Sequence, residues 1–575
     1  MNATTATPES IAIALLGSGG AGAITAGSLL LEAAGRAGWY GLMTRSVGPQ
    51  IRGGEALAMV RLASVPVHGP TDRFDVLVAL DWQNADRFTD EVPLDANSLV
   101  IADPDEGETP AAFVASGARL VKLPLAKLSK GIPGARPNII ALGLLAGLFG
   151  LPAEAIETVV ARTLGRKGMS KTHVAATIAA GSQAAATIPV PPRLAPAVPT
   201  NGQRWVISGN EAAAMGALQA GVRFVAVYPI TPATDLSEWL APQLQKLGGH
   251  LLQAEDEIAS INMVLGASYG GVPAMTVTSG PGLALMTETV GLAVTAEVPA
   301  VVIDVMRGGP STGIPTKSEQ ADLNIALYGL HGDAPHLVLA PQSVADCLFT
   351  TAWAVQLTET LQCPAIVLSD QFLGQARTVC DRPRQPLNGS QRLTAASGMD
   401  RYDRYTLTAT SLSPMAIPGL PGRQYTAEGL EHNVHGTPSS RARDHLTQLD
   451  KRRDKLLQFD YGDAWAEIEG DGATVILSWG SSTAPVQEAA ARARAAGQAV
   501  KVVSLRLLAP AQPARLAAAL QGVQRLLVVE QSHSAQFYSY LRAHYELPAP
   551  VSVFNRPGPL PIRPAEVLDR LLNWR

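Results

Sequence analysis

Cysteine is scarce: the 575 residues contain three, Cys347, Cys363 and Cys380, at spacings of 16 and 17. No CxxC pair results, and three thiolates are one short of the four that hold an iron–sulfur cluster, so any cluster chemistry belongs on another subunit. One close histidine pair, His432 and His435, stands in a Gly/Pro/Ser-rich stretch without a third ligand candidate beside it, and no metal is expected there. An excess of one charge is missing too. With a formal net charge of −4, and with the basic residues of 451–455 interleaved with Asp450 and Asp454 in what reads as a solvated helix face, neither nucleic acid nor an anionic membrane is an expected partner. The longest apolar run, 139–151, is broken by three glycines and followed by Pro152, well short of the ~20 residues a spanning helix needs. No basic residue precedes Arg36, which argues against a secretory signal and for a cytoplasmic chain.

What is present suits several packed cores. Apolar residues make up 47 % and charged residues 16 %, and the length suggests roughly three or four domains. Residues 11–16 read as a buried strand, followed by a glycine-rich turn and a helix over 24–37, the βα unit that opens a doubly wound sheet. The expected organisation is a first α/β domain over 1–187, a proline-rich linker over 188–203 and a second α/β domain over 204–380. An extended excursion rich in Pro, Gly, Ser, Thr and Arg follows over 381–465, then a third α/β domain over 466–575.

Four motifs carry chemistry. The turn Gly17-Ser18-Gly19-Gly20-Ala21-Gly22 satisfies GxGxxG between a strand and a helix, a phosphate cradle or a glycine turn used for packing alone. The ribose-binding acid of a nicotinamide site should follow about twenty residues on, but Thr44 and Arg45 stand there, leading into SVGPQIRGG with Arg52; arginine suits a phosphorylated ribose better than NAD. In YPITP (228–232), Thr231 follows an apolar strand at the sheet edge where open α/β folds bind ligands. Arg307 heads RGGPSTGIPT, which places a guanidinium beside the hydroxyls of a loop ending at Thr316, a pairing that fits a small carboxylate. Glu255, Asp256 and Glu257 open a helix, where acids ordinarily complement the dipole, and TSGPG (278–282) is a further glycine turn after a strand.

Taken together, these residues resemble the α subunit of 2-oxoacid:ferredoxin oxidoreductases, in the fused γ–α form of two-subunit 2-oxoglutarate enzymes. GSGGAG and SVGPQIRGG resemble the γ domain; GNEAAAMGALQAG, YPITP, QAEDEIA, TSGPGLALMTE and RGGPSTGIPTKSEQADL resemble the thiamine pyrimidine-binding domain; WGSS (479–482) and VVEQSHSAQ (528–536) resemble the transketolase C-terminal-like domain. Three doubly wound, Rossmann-like domains are therefore implied. The resemblance also implies an α2β2 heterotetramer whose β subunit holds the diphosphate of thiamine, Mg2+ and a [4Fe–4S] cluster, with coenzyme A as co-substrate and ferredoxin as electron carrier. Glu257 takes the place of the carboxyl that bonds the aminopyrimidine ring, with Glu255 as the alternative. Thr231, Arg307 and Thr316 fall at the 2-oxoacid carboxylate, and Gly17, Gly19, Gly20, Gly22, Arg45 and Arg52 fall in the CoA-contacting domain. The implied substrate is 2-oxoglutarate, with pyruvate or a branched-chain acid as alternatives and a degenerate nucleotide-binding regulatory subunit as the reading of another class. Two positions depart from the family pattern: Ala21, where Gln is usual, and Ala535, where Gly is common.

Overall fold

The computed structural model describes residues 9–48, 54–165, 169–188, 194–197, 204–314, 316–383, 391–398 and 400–574. They form two compact units, one of Met1–Ser208 with Gln375–Arg382, the other of Gly209–Gly374 with Pro383–Arg575.

In the first unit, strand Ser10–Ser18 shows why a continuous apolar run is a strand rather than a helix. Ile11, Ile13 and Leu15 pack into one core with helices Ala23–Arg36 and Pro137–Phe149. Ala12, Ala14 and Leu16 pack into a second core with Phe74, Trp82, Phe88 and Phe113. Alternate side chains leave opposite faces of a strand, so a strand covered on both faces is apolar throughout. Helix Pro137–Phe149 is the apolar run that is too short to span a membrane, and no helix among the described residues is long and apolar enough to cross one. Its glycines serve close helix packing: a Cβ on Gly143 would stand 2.3 Å from the carbonyl oxygen of Ile178, and one on Gly147 would stand 2.7 Å from Ala185 Cβ, both in helix Lys171–Ala185.

The sheet of this unit runs Arg119–Lys122, Leu99–Ala102, Val76–Ala79, Ser10–Ser18, Glu55–Ala63, Tyr40–Val47, Arg377–Cys380, Trp205–Ser208. The first four strands are parallel; Glu55–Ala63 pairs antiparallel with both of its neighbours. The last two strands come from the span 204–380, expected as part of the second domain, and pair with this sheet instead, because the edge of Tyr40–Val47 would otherwise leave a row of backbone groups unpaired.

The second unit holds two sheets. One runs Leu507–Ala509, Leu337–Leu339, Pro364–Asp370, Ala300–Met306, Ala274–Thr278, Phe224–Val227, His250–Gln253, all parallel except the first. The other runs Ala466–Glu469, Val500–Leu505, Thr474–Trp479, Arg525–Glu530, Val551–Asn555, again with only the first strand antiparallel. The chain therefore has an α/β fold of three sheets, the first mixed and the other two parallel apart from one edge strand each.

The reading of 451–455 as a solvated helix face is overturned. Helix Ala442–Leu457 turns Lys451 and Lys455 inward, where each is 3 % exposed or less, and both ammonium groups bond the carboxylate of Glu297, Lys451 at 2.5 and 2.8 Å and Lys455 at 2.9 Å. Glu297 ends helix Gly280–Ala296 in the left-handed region, φ 51°, and Gln362 ends helix Asp346–Leu361 likewise, φ 48°. Arg404 bonds the Glu297 carbonyl and the Gln362 side chain, and Lys455 bonds the Gln362 carbonyl. Cations are thus gathered at two helix carboxyl ends, where the dipoles favour positive charge. The polar alternation of 450–455 gave no sign of burial because the partner carboxylate lies 154 residues away.

Ala535 also has a left-handed conformation, φ 52°, at the start of helix Gln536–His544, whose first amides are held by the buried Glu530 carboxylate. A methyl side chain strains that backbone and glycine does not. Ala535→Gly is therefore expected to raise stability by about 1 kcal/mol, read as a higher urea midpoint at unchanged slope; a lower midpoint would show that the methyl group's packing outweighs the strain.

Candidate functional site

Four consecutive turns at the carboxyl edge of the second unit's larger sheet carry the candidate residues. Thr231 follows Phe224–Val227, Glu257 follows His250–Gln253, the 278–282 turn begins at the end of Ala274–Thr278, and Arg307 follows Ala300–Met306. Carboxyl ends of parallel strands face the crevice where such folds hold ligands.

The three acids at 255–257 have different places. Glu255 is exposed. Asp256 caps helix Glu257–Tyr269, accepting from Ala259 N at 2.7 Å. Glu257 is 6 % exposed and makes no side-chain hydrogen bond among the described residues. Its carboxyl lies against Gly282: a Cβ there would fall 2.7 Å from Glu257 Cγ and Oε1 and 2.0 Å from Thr278 Oγ1. Sequence alone makes all three acids look like first-turn residues; the turn of the helix assigns one to the cap, one to solvent and one to the interior. A buried carboxyl without a protein partner, beside a turn kept clear of side chains, fits an aminopyrimidine ring nitrogen as its partner, so the residues present suit thiamine.

Arg307 donates from Nη1 to the Thr231 carbonyl oxygen at 2.7 Å, which brings those two expected residues together. Its Nε is buried without an acceptor. The loop after Arg307 folds back on itself through Gly308 N to Lys317 O and Ile314 N to Gly308 O, both 2.9 Å. Gly313 has φ 71°, and a Cβ there would be 1.6 Å from the Gly308 oxygen, so only glycine fits. Thr316 lies in the same loop with φ 46°, a left-handed conformation that is costly for a β-branched residue and that collects at binding sites.

Sequence reading missed how this loop is held. Gln320, 0 % exposed, donates to Trp479 O at 2.8 Å, accepts from Gln531 N at 2.7 Å and gives its own amide to Gln531 O. WGSS and VVEQ thus brace the loop's far end. The signal was visible as glutamine inside an apolar–polar motif, but its partners lie 159 and 211 residues away.

In the first unit the glycine turn is partly occupied by protein. The Asp81 carboxylate accepts from Ser18 N at 2.8 and 3.0 Å and from Ser18 Oγ at 2.8 Å. Gly17 is hemmed in by Ala21, Leu80 and Asp81, and Gly22, φ 88°, by Asn138, whereas Gly20, φ 113°, has open space where a Cβ would be; Gly19 lies between them in the turn. Arg45 is exposed on Tyr40–Val47 and pairs with Ala58, which pairs with Leu15. Two strand spacings put it roughly 10 Å across the sheet from Leu15. Arg52 lies outside the described residues.

Residues 12–184 match the family described as pyruvate ferredoxin/flavodoxin oxidoreductase, residues 215–451 its thiamine-diphosphate-binding domain, and residues 464–571 the transketolase C-terminal domain. The 2-oxoglutarate synthase subunit KorA of Methanothermobacter marburgensis is 33 % identical over 381 residues, 65 % of this chain and 100 % of that one. This chain belongs to the 2-oxoacid:ferredoxin oxidoreductase family. A further member, the 2-oxoglutarate oxidoreductase subunit KorA of Mycobacterium tuberculosis, is 36 % identical over 423 residues, 71 % of this chain and 64 % of that one. The solved 2-oxoglutarate:ferredoxin oxidoreductase of Magnetococcus marinus, with 2-oxoglutarate, coenzyme A and succinyl-CoA bound, superposes with a TM-score of 0.91 at 34 % identity, over 98 % of this chain and 99 % of that one.

Proposed function

We propose that this chain is the α subunit of a cytoplasmic 2-oxoglutarate:ferredoxin oxidoreductase, which with a β subunit in an α2β2 assembly converts 2-oxoglutarate and CoA to succinyl-CoA and CO2 while reducing ferredoxin. The observation that carries this reading is the buried, unpartnered Glu257 carboxyl seated against Gly282, on the same sheet edge as the Arg307–Thr231 contact. Likeness in fold to the Magnetococcus enzyme over 98 % of this chain, at 34 % identity, favours 2-oxoglutarate over other 2-oxoacids. The β subunit would supply the diphosphate site, Mg2+ and the [4Fe–4S] cluster, for which three buried and separate cysteines offer no ligand set.

Thiamine diphosphate, when bound, supplies a nucleophilic carbon and an electron sink for decarboxylation. Glu257 would hold a proton at the aminopyrimidine nitrogen. Arg307 would receive the 2-oxoacid carboxylate on the face of its guanidinium not committed to the Thr231 carbonyl, with the Thr231 and Thr316 hydroxyls as further donors. The first domain, 1–187, would contact CoA through the open side of its glycine turn at Gly20 and through Arg45 and Arg52.

The test is ferredoxin reduction by the assembled enzyme with 2-oxoglutarate and with pyruvate. 2-Oxoglutarate is expected to give the higher kcat/KM, and Arg307→Lys, which keeps the charge and loses the fork, to raise its KM about tenfold with thiamine binding unchanged. A preference for pyruvate would refute the substrate, and an unchanged KM in Arg307→Lys would move the carboxylate elsewhere.

A further inference from the structure

The turn that carries Thr231 is held by its carbonyl oxygens. Pro229 and Pro232 remove two amide donors from the stretch 228–232, and three successive carbonyls are each claimed by a different part of the chain. The Ile230 oxygen accepts from Ala233 N at 2.9 Å and Thr234 N at 3.0 Å, within the turn itself. The Thr231 oxygen accepts from Arg307 Nη1 at 2.7 Å. The Pro232 oxygen accepts from Asn210 Nδ2 at 3.0 Å. A side-chain amide facing a carbonyl oxygen can bond it only through its NH2 group, so the acceptor fixes which way the Asn210 amide points.

Asn210 is 2 % exposed and is the second residue of helix Gly209–Gln219. It has little room to move. A Cβ on Gly374 would fall 2.7 Å from Asn210 Oδ1, and one on Gly209 would fall 2.1 Å from the Leu373 carbonyl oxygen, so the helix start is seated directly on the backbone of the 370–374 turn. That turn is closed by Leu373 N donating to Asp370 Oδ1 at 2.9 Å. It also reaches the loop after Arg307, where Phe372 N donates to Ser318 Oγ at 3.1 Å. Thr231 is exposed and Pro232 is buried, so Asn210 grips the turn one residue beneath the carbonyl on which Arg307 rests.

We propose that Asn210 is a positioning residue for the 2-oxoacid: its bond to the Pro232 carbonyl fixes the neighbouring Thr231 oxygen, and through it the direction in which Arg307 presents its remaining N–H groups. The inference rests on the reading of Arg307 as the 2-oxoacid anchor. Without the Asn210 amide the Pro232 carbonyl is left buried and unbonded, a costly state that the turn relieves by rotating toward another donor. The Thr231 carbonyl is carried with it, and a guanidinium bond that depends on distance and angle loses its register.

Kinetics of the assembled enzyme test this. Asn210→Ala is expected to raise the KM for 2-oxoglutarate about tenfold, the effect of losing one buried hydrogen bond, while the KM for CoA, the thiamine content and kcat at saturating substrate stay within about twofold of the wild type. A general loosening of the fold would move all four together and overturn the proposal. Because Asn210 acts through Arg307, adding Asn210→Ala to Arg307→Lys should raise KM no more than about twofold beyond Arg307→Lys alone, whereas independent contributions would multiply. If Asn210→Ala fails to fold, Asn210→Leu, which keeps the bulk without the donor, is measured in the same way. A wild-type KM in the folded Asn210 variant, or multiplied effects in the double variant, overturns the role of Asn210 and leaves the anchor standing. A wild-type KM in Arg307→Lys overturns the anchor itself.

Discussion

Replacing Glu297 with leucine is expected to destabilise the second unit by about 3–5 kcal/mol, the cost of leaving buried charges without their counter-ion. Lys451 and Lys455 are buried on that carboxylate, and Arg404 is buried on the same residue's carbonyl oxygen. Burial alone would push the Glu297 carboxyl up, but Lys451, Lys455 and Arg404 outweigh it and hold the group well below the usual range. Burial in turn draws Lys451 down to about 8, against the pull of the glutamate. The sign of the acid response follows. A depressed carboxyl contributes stability that is complete above its ordinary value of 4.5 and is lost only as the pH falls through the lower, folded value. Wild-type protein should therefore lose stability on acidification below that ordinary value, and Glu297→Leu should lose less, from a lower starting point. Thermal melts of both proteins across the acid range check this. If Glu297→Leu melts within about 2 °C of the wild type, the cluster is not a stabilising brace. Converting Glu297, Lys451 and Lys455 together to apolar residues should recover much of the loss, because the penalty comes from unpaired charge rather than from missing ion pairs.

The excursion and the site share a helix. Gly280–Ala296 begins at the 278–282 turn and ends at Glu297, so the cations contributed by 404 and by Ala442–Leu457 brace the far end of the element that carries Gly280 and Gly282 beside Asp322 and Glu257.

The second large effect is chemical. Glu257→Gln keeps the volume but removes the carboxyl proposed to bond the aminopyrimidine nitrogen. A fall in kcat of more than ~10²-fold is expected in the assembled enzyme, as for loss of a positioned proton-transfer partner. Glu255→Ala should change kcat little, since that side chain is exposed. Thiamine content and assembly, measured in the same preparations, separate lost chemistry from lost binding. The opposite ranking of the two variants would transfer the role to Glu255.

The strand expected at 11–16 and the helix expected at 24–37 are present as Ser10–Ser18 and Ala23–Arg36, because a strand covered on both faces becomes an uninterrupted apolar run bounded by turn residues. The site motifs are legible for a related reason: glycines, prolines and hydroxyls collect where the chain turns at strand ends, and that local chemistry is written in consecutive residues. Sequence also separated the cysteines, excluded a long apolar span and ordered the domains' motifs along the chain.

Other features depended on partners far away in the chain. Nothing near 55–63 announces that this strand enters between Ser10–Ser18 and Tyr40–Val47, or that 205–208 and 377–380 complete the same sheet. The burial of Lys451 and Lys455 is set by Glu297, and the grip on the loop after Arg307 by Gln320 with Trp479 and Gln531. Periodicity and propensity report a residue's relation to its neighbours in sequence, so they determined the elements and the turns that carry the chemistry. The depth and partners of each polar side chain depend on surfaces that meet only on folding, and for Glu257 and Lys451 the tertiary structure alone decided them.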